Sequence, residues 1–408
     1  MAKIIMLNMT RLIVKLFILV QFILVGGWLV GAEVLPIRTE TFLGKGLGGK
    51  VSSQPLLWSR ANFDGFYYAK IARDGYQHYQ QAFFPLYPKL IGFFEKIFGG
   101  YVVSGVIISA VCFPLFLFFF NKLMKEKGFT KSIRRQTLIY ISFFPTAFYF
   151  GAVYTEALFM FLVVLSFYLA TKKRWLLAGL VAGAASYTKV VGIFLVPGLI
   201  YEYYDSQAKR DMRARFEAAR QAIKNRFSIK YLFYLCKSRL PHIKGLASIL
   251  TGAWGLITYS IYLKRTTGDF FYFSTAQPQF KTQRTTDRIV LIYQVFWRYL
   301  KMIFTVDVTS YTYLIVWVEL LIVFLFVFLL LYSWLKANLP PSWLIFSAFA
   351  FIVPTLTGTF TSMPRYVLIC FPCFISLSKL KLPKYVPYIS LVLQFIAAAL
   401  FLRGYWIA

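Results

Sequence analysis

Trp58-Ser59-Arg60-Ala61-Asn62-Phe63-Asp64-Gly65-Phe66-Tyr67-Tyr68-Ala69-Lys70-Ile71-Ala72-Arg73-Asp74-Gly75-Tyr76 places acids in an aromatic bed, and Ala82-Phe83-Phe84-Pro85-Leu86-Tyr87-Pro88 follows closely. The stretch lies just beyond an apolar run, residues 11–32, that is long enough to cross a bilayer as one helix. Tyr and Trp favour the headgroup level, where one end of the ring is apolar and the other wet. An acid set among them at the edge of a span reads as part of a membrane-embedded site, and in that setting as a catalytic base.

Working outward, the composition agrees. A chain of 408 residues with 59% hydrophobic residues and a mean hydropathy of +0.63 carries more apolar surface than a soluble fold buries. Apolar runs of about 15–24 residues alternate with Lys/Arg clusters, and in lipid a helix satisfies its own backbone within one segment. The fold class is therefore an all-α polytopic membrane protein in one domain; the period-two alternation of a barrel is missing. The formal net charge of +30 lies mostly between apolar runs, not on one recognition surface, so topology and not a nucleic-acid partner accounts for it.

Basic clusters at residues 122–135, 172–174, 209–244 and 336, and at Lys379, Lys381 and Lys384, belong on the cytoplasmic side by the positive-inside rule. Lys3, Arg11 and Lys15 keep the start of a retained first helix there too, which puts residues 33–100 on the outer face. Further helices are expected near 101–120, 137–152 and 156–171. The run 175–204 is too long for one span and basic at both ends, so it reads as two short crossings with a turn at Tyr187-Thr188-Lys189. Residues 205–245, with Asp205, Asp211 and Glu217 among many cations, read as an amphipathic cytoplasmic segment at the lipid surface. A span near 246–263, an interfacial helix around Arg298 and Lys301, and spans near 312–335, 343–357, 366–378 and 386–402 bring the total to about eleven crossings.

Cys370 and Cys373 flank Pro372 in an apolar run with no second Cys or His pair nearby. They read, with Cys112 and Cys236, as small buried hydrophobes and not as a metal site. His78 and His242 are too far apart in this topology to form a metal pair. The chemistry then falls to ionisable residues at membrane depth on the outer side: Asp64, Asp74, Glu156, Lys189 and Arg365. Each has a plainer reading: Asp64 as a helix starter, Asp74 before Gly75 as a turn former, Glu156 as an acid favoured at a helix N-terminus, Arg365 as a snorkelling interfacial cation.

The segment Phe63-Asp64-Gly65 to Ile71-Ala72 and Gly75-Tyr76, with Ala82-Phe83-Phe84-Pro85, resembles the first outer loop of the PIG-V mannosyltransferases. Three later segments keep the family's order: Phe144-Pro145 with Tyr154-Thr155-Glu156-Ala157-Leu158-Phe159; Ala178-Gly179 to Ala185-Ser186-Tyr187-Thr188-Lys189 with Gly192; and Met363-Pro364-Arg365-Tyr366 with Phe371-Pro372. The resemblance runs from about residue 58 to 375. The chain departs from the pattern at Phe63, where the family has Trp, and at Gln77-His78-Tyr79-Gln80-Gln81, where the family has Glu-His. Lys189 stands where the family often has Arg, which keeps the charge and gives up bidentate geometry.

The resemblance implies a GT-C fold glycosyltransferase that uses a polyprenyl-phosphate sugar, with a family preference for mannose, and an acid of the first outer loop at its centre. On that reading Asp64 is the general base, Arg365 and Lys189 face the donor phosphate, and Glu156, Asp74, His78 and Tyr76 belong to the site or its acceptor loop. The partners are then the polyprenyl-phosphate donor, a lipid or glycan acceptor and the surrounding membrane lipids, and the expected location is a prokaryotic plasma membrane with the site facing outward, or an ER lumen. No acidic cluster demands a metal, although a carboxylate and a phosphate together are compatible with a divalent cation. A transporter or lipid flippase, and a noncatalytic subunit of another glycosyltransferase, are the competing readings.

Overall fold

The computed structural model describes residues 2–38, 54–208, 243–280, 284–380 and 382–407. Every regular element among them is helical, with no strand. Most of the basic segment at 205–245, with Asp211, Glu217, Cys236 and His242, lies outside the described residues, as does Lys381.

The first helix, α1 (Ala2–Val34), leads to the short α2 (Pro55–Ser59), α3 (Asp64–Asp74) and α4 (Leu86–Phe98), and then to the long α5 (Tyr101–Glu126). After α6 (Lys131–Phe143) the chain passes through a 3₁₀ turn at Ala147–Gly151 into α7 (Glu156–Thr171) and α8 (Trp175–Thr188). The segment near 137–152 is thus not one helix: Pro145 holds Phe144 extended, at φ −58° and ψ 141°, and ends the helix there.

The run 175–204 divides as its length requires. Helix α8 ends at Thr188, Lys189 is extended, a 3₁₀ turn covers Val190–Phe194, and α9 takes up residues 195–208. Beyond residue 242 come α10 (Ile243–Leu250), α11 (Trp254–Thr267), the short α12 (Tyr272–Thr275), α13 (Ile292–Thr305), α14 (Tyr311–Leu335) and α15 (Pro341–Thr355). The expected span near 366–378 is broken instead into α16 (Met363–Tyr366), a 3₁₀ turn and α17 (Phe371–Lys379), with prolines at the starts of both helices. The last helix is α18 (Val386–Leu402).

Among the described residues four stretches are long and apolar enough to cross a membrane: Met9–Val34, Tyr101–Glu126, Lys244–Thr267 and Tyr311–Leu335. Shorter apolar helices are α7, α8, α15 and α18. Helix α14 exposes Leu321, Phe324, Phe328, Leu331 and Trp334 along one side, a continuous apolar face that suits lipid and not water. Helix α13 is amphipathic as its charges require, burying Val295 and Tyr299 while Tyr293, Trp297 and Phe304 stay exposed.

Helix α5 packs along α7, α7 along α8, and α1 along α18, so the two ends of the chain are neighbours. With apolar surroundings, helix association rests on close packing and buried hydrogen bonds. Ser333 and Ser376 share a hydrogen bond of 2.7 Å between α14 and α17, and Thr137 donates to Ser378 at 3.1 Å between α6 and α17. The α8–α11 contact is the tightest of this kind: a β-carbon on Gly255 would sit 2.0 Å from the Gly183 carbonyl oxygen, and Trp254 Nε1 donates to Leu180 O at 3.0 Å beside it.

Gly255→Ala is therefore expected to force these helices apart and lower the unfolding midpoint of the detergent-purified protein, by the ~1–3 kcal/mol typical of overpacking. An unchanged midpoint would mean that the α8–α11 contact is not held at this spacing.

Candidate active site

Asp64 opens α3, with Phe63 before it at φ 56°, ψ −115°. That backbone is costly for a residue with a side chain. The surroundings hold it: Val153 N donates to Arg60 O at 3.0 Å, Tyr154 Oη to Asn62 O at 2.8 Å, and Asn62 Nδ2 to Phe401 O at 2.7 Å. Gly65 is required next to Asp64 because a β-carbon there would lie 3.0 Å from the Val153 carbonyl oxygen. The first turn of α3 also offers its carboxylate the positive end of a helix dipole.

Arg365 arrives from the far end of the sequence on α16, and it too follows a residue with positive φ, Ser362 at 70°. Its Nη1 donates to Asp64 Oδ2 at 2.6 Å, and its Nε lies 3.6 Å from Glu156 Oε1, an ion pair beyond hydrogen-bond length. The guanidinium is 4% exposed and lies against the rings of Tyr149, Tyr154 and Tyr366 at 5.5, 5.2 and 5.3 Å. Such cation–π contacts, with two carboxylates, are what make a buried cation tolerable.

Glu156 begins α7 and is buried. Lys189 Nζ, at the break after α8, donates to its Oε1 at 2.5 Å, while Oε2 finds no hydrogen-bond partner. A carboxylate, a buried arginine, a second carboxylate and a lysine thus form one chain: Asp64, Arg365, Glu156, Lys189. Four segments widely separated in the sequence supply it.

The chain lines a cavity of about 310 Å³. Tyr67, Phe83 and Phe280 form an aromatic wall, with Tyr67 stacked on Phe83 at 5.0 Å and meeting Phe280 edge-on at 5.2 Å. Val190, Val191, Ala350, Val353 and Pro354 give the lining an aliphatic part. Among the described residues Asp64 Oδ1 has no hydrogen-bond donor, and the side chain is 25% exposed at the cavity wall.

Other expected residues stand elsewhere. Asp74 is exposed and paired with Arg73 at 2.7 Å, a bond that holds its carboxyl below the usual range; the Gly75 turn is its setting, not the cavity. His78 is exposed beside Tyr79, with ring centroids 3.8 Å apart, and does not line the cavity. Tyr76 supports the site from behind: its hydroxyl donates to Phe83 O at 2.7 Å, and burial followed by Tyr259 pushes its pKa well up, so it stays a donor. Tyr259 Oη adds bonds to Gln81 O and Phe83 O. Cys112, Cys370 and Cys373 are buried and free, and no group of three His, Cys, Asp or Glu able to hold a metal exists among the described residues.

Two residues at the site escape the sequence reading. Glu319, the lone acid in the 25-residue apolar helix α14, accepts from Tyr299 Oη and, at 3.3 Å, from Ser362 N, so it pins the turn that carries Arg365. A single acid in an apolar span is itself a signal. Arg284 lines the cavity and donates through Nη2 to Thr361 O at 3.2 Å and Tyr366 Oη at 3.1 Å. Nothing in a loop that also holds Lys281, Asp287 and Arg288 singles it out.

No protein-family model matches this chain, and no curated protein matches it.

Breaking a buried pair from one side leaves an uncompensated charge, typically a loss of about 3–5 kcal/mol. Arg365→Gln strands Asp64 and leaves Glu156 with Lys189 alone, whereas Asp64→Asn leaves Arg365 its second carboxylate. Unfolding in detergent is expected to show the larger loss for Arg365→Gln; equal losses would remove Glu156 from the network. Gly65→Ala, which crowds the Val153 carbonyl, should weaken the Asp64–Arg365 coupling in a double-mutant cycle.

Proposed function

We propose that this protein is a glycosyltransferase of the GT-C kind, resembling the PIG-V mannosyltransferases, that moves a hexose from a polyprenyl-phosphate donor to a hydroxyl of a lipid-linked or glycan acceptor. The observation that carries the reading is the Asp64 carboxylate, fixed by a buried arginine at the wall of a cavity whose lining holds both charged and aliphatic side chains. A lipid-phosphate sugar needs both surfaces. The bundle then makes about eleven crossings, with α6, α9 and α17 added to the four long stretches and the four shorter apolar helices, and has the N-terminus cytoplasmic and the cavity opening outward.

In the reaction the acceptor oxygen attacks the anomeric carbon as the bond from that carbon to the phosphate oxygen breaks. The acceptor proton passes to Asp64 Oδ1, the oxygen left without a hydrogen bond. The electron pair of the broken bond stays on the polyprenyl phosphate, and cations of the cavity neutralise it. Arg365 holds and aims Asp64, and Lys189 ties Glu156 to the same network. Glu156, the second carboxylate of the lining, is held by Lys189 and Arg365, so Asp64 acts as the single base and displacement inverts the anomeric configuration.

The test is transfer of radiolabelled mannose from polyprenyl-phosphate mannose to a lipid extract by the full chain in nanodiscs. Asp64→Asn is expected to lose about 10²–10⁴-fold in turnover, the usual worth of general-base catalysis, while still binding donor. Normal turnover by that variant sinks the base assignment. No transfer from any polyprenyl-phosphate sugar by folded protein sinks the transferase reading, and a covalent glycosyl-enzyme or a retained anomer sinks the single displacement.

A further inference from the structure

Three cations line the cavity, Lys189, Arg284 and Arg365, against two carboxylates, Asp64 and Glu156. Two of the cations are already committed. Arg365 is held between both acids, and Lys189 is bonded to Glu156. Drawing either onto a ligand would strand a buried carboxylate, which is the expensive way to bind an anion. Arg284 has no carboxylate within ion-pair distance among the described residues, and its Nε is buried with no hydrogen-bond partner.

The guanidinium is also held in place. Both of its protein hydrogen bonds use Nη2, and its carbon lies 5.5 Å from the Tyr366 ring centre. The same ring has Lys189 at 5.6 Å and Arg365 at 5.3 Å. The backbone on either side is fastened to the end of α15, with Thr285 N donating to Thr357 O at 2.9 Å and Val290 N to Leu356 O at 3.0 Å. An arginine whose plane is fixed while part of its fork goes unused is preorganised for an oxyanion, because a charge-assisted bond forms with little further ordering. Of the three cations about this ring among the described residues, two are bonded to carboxylates and Arg284 is not, because Glu319 acts on it only from beyond ion-pair distance.

We propose that Arg284 is the anion ligand of this cavity and takes a phosphoryl group carried on an apolar chain. The phosphoryl oxygens meet the Arg284 guanidinium where it lines the cavity, with Ser362 and Thr286 of the same lining as hydroxyl donors, and the chain lies along Val190, Val191, Ala350, Val353 and Pro354. This deepens the transferase reading and rests on it for the sugar alone. It also changes the division of labour expected from the sequence: Arg365 and Lys189 organise the carboxylates, and Arg284 receives the phosphate.

Binding can be measured without any turnover, by titrating the full chain in nanodiscs with undecaprenyl phosphate, with undecaprenol and with inorganic phosphate. Wild type is expected to prefer the lipid phosphate to the alcohol, and Arg284→Gln to lose about ten- to a hundredfold of its affinity for the phosphate, the range of one charge-assisted contact. Affinity for the alcohol should not change. Arg284→Lys, which keeps the charge and folds if the glutamine variant does not, is expected to fall between. Arg288→Gln, an exposed arginine of the same loop, serves as the unaffected control.

Tight binding of inorganic phosphate that depends on Arg284 would support the anion site and give it a soluble source. Undiminished phosphate preference in folded Arg284→Gln, or no preference in wild type, overturns the inference. The two readings fail separately: Arg284-dependent phosphate binding without sugar transfer removes only the transferase, and sugar transfer with unaltered KM in Arg284→Gln removes only the role of Arg284.

Discussion

A guanidinium buried among tyrosines is the constraint on which the rest of the site depends. Arg365 cannot sit at 4% exposure without anions, and the anions it has, Asp64 and Glu156, come from two other helix starts. Each carboxylate is in turn tolerable there because of the cations beside it. The network is therefore mutual: α3, α7, α16 and the break after α8 are placed by one another's charges as much as by packing. Burying such groups gains little stability in itself, but removing any one leaves the others exposed to a low dielectric. That asymmetry favours a single arrangement.

The backbone bears part of the cost. Phe63 and Ser362 adopt positive φ immediately before the helices that bring Asp64 and Arg365 together. Outliers of this kind persist only where surrounding structure over-determines them. Here Asn62 is fastened to Phe401 and Tyr154 on one side, and Ser362 to Glu319 on the other. The acid in the middle of α14 serves as a clamp on a turn.

Much of this was legible in the chain. The scarcity of acids made Asp64 and Glu156 conspicuous, and the excess length of the run 175–204 located the break at Lys189 before any geometry was known. Less visible was what depended on pairing in space. Asp74 carries the same charge as Asp64 ten residues earlier, and only the direction of α3 decides that one faces the cavity while the other faces Arg73. Arg284 lies in a loop without periodicity, so no pattern could mark it. The broken helix at 363–379 was smoothed over because hydropathy does not register that Pro364 and Pro372 each restart the backbone.

The bond between Asp64 and Arg365 joins residues 301 positions apart. A ribosome releases the first of them long before the second. Until α16 is made, the growing chain holds Asp64 without its arginine and Glu156 with Lys189 alone. Closure of the ion pair therefore waits on the emergence of α16, so no shorter nascent chain can complete the network of Asp64, Arg365 and Glu156.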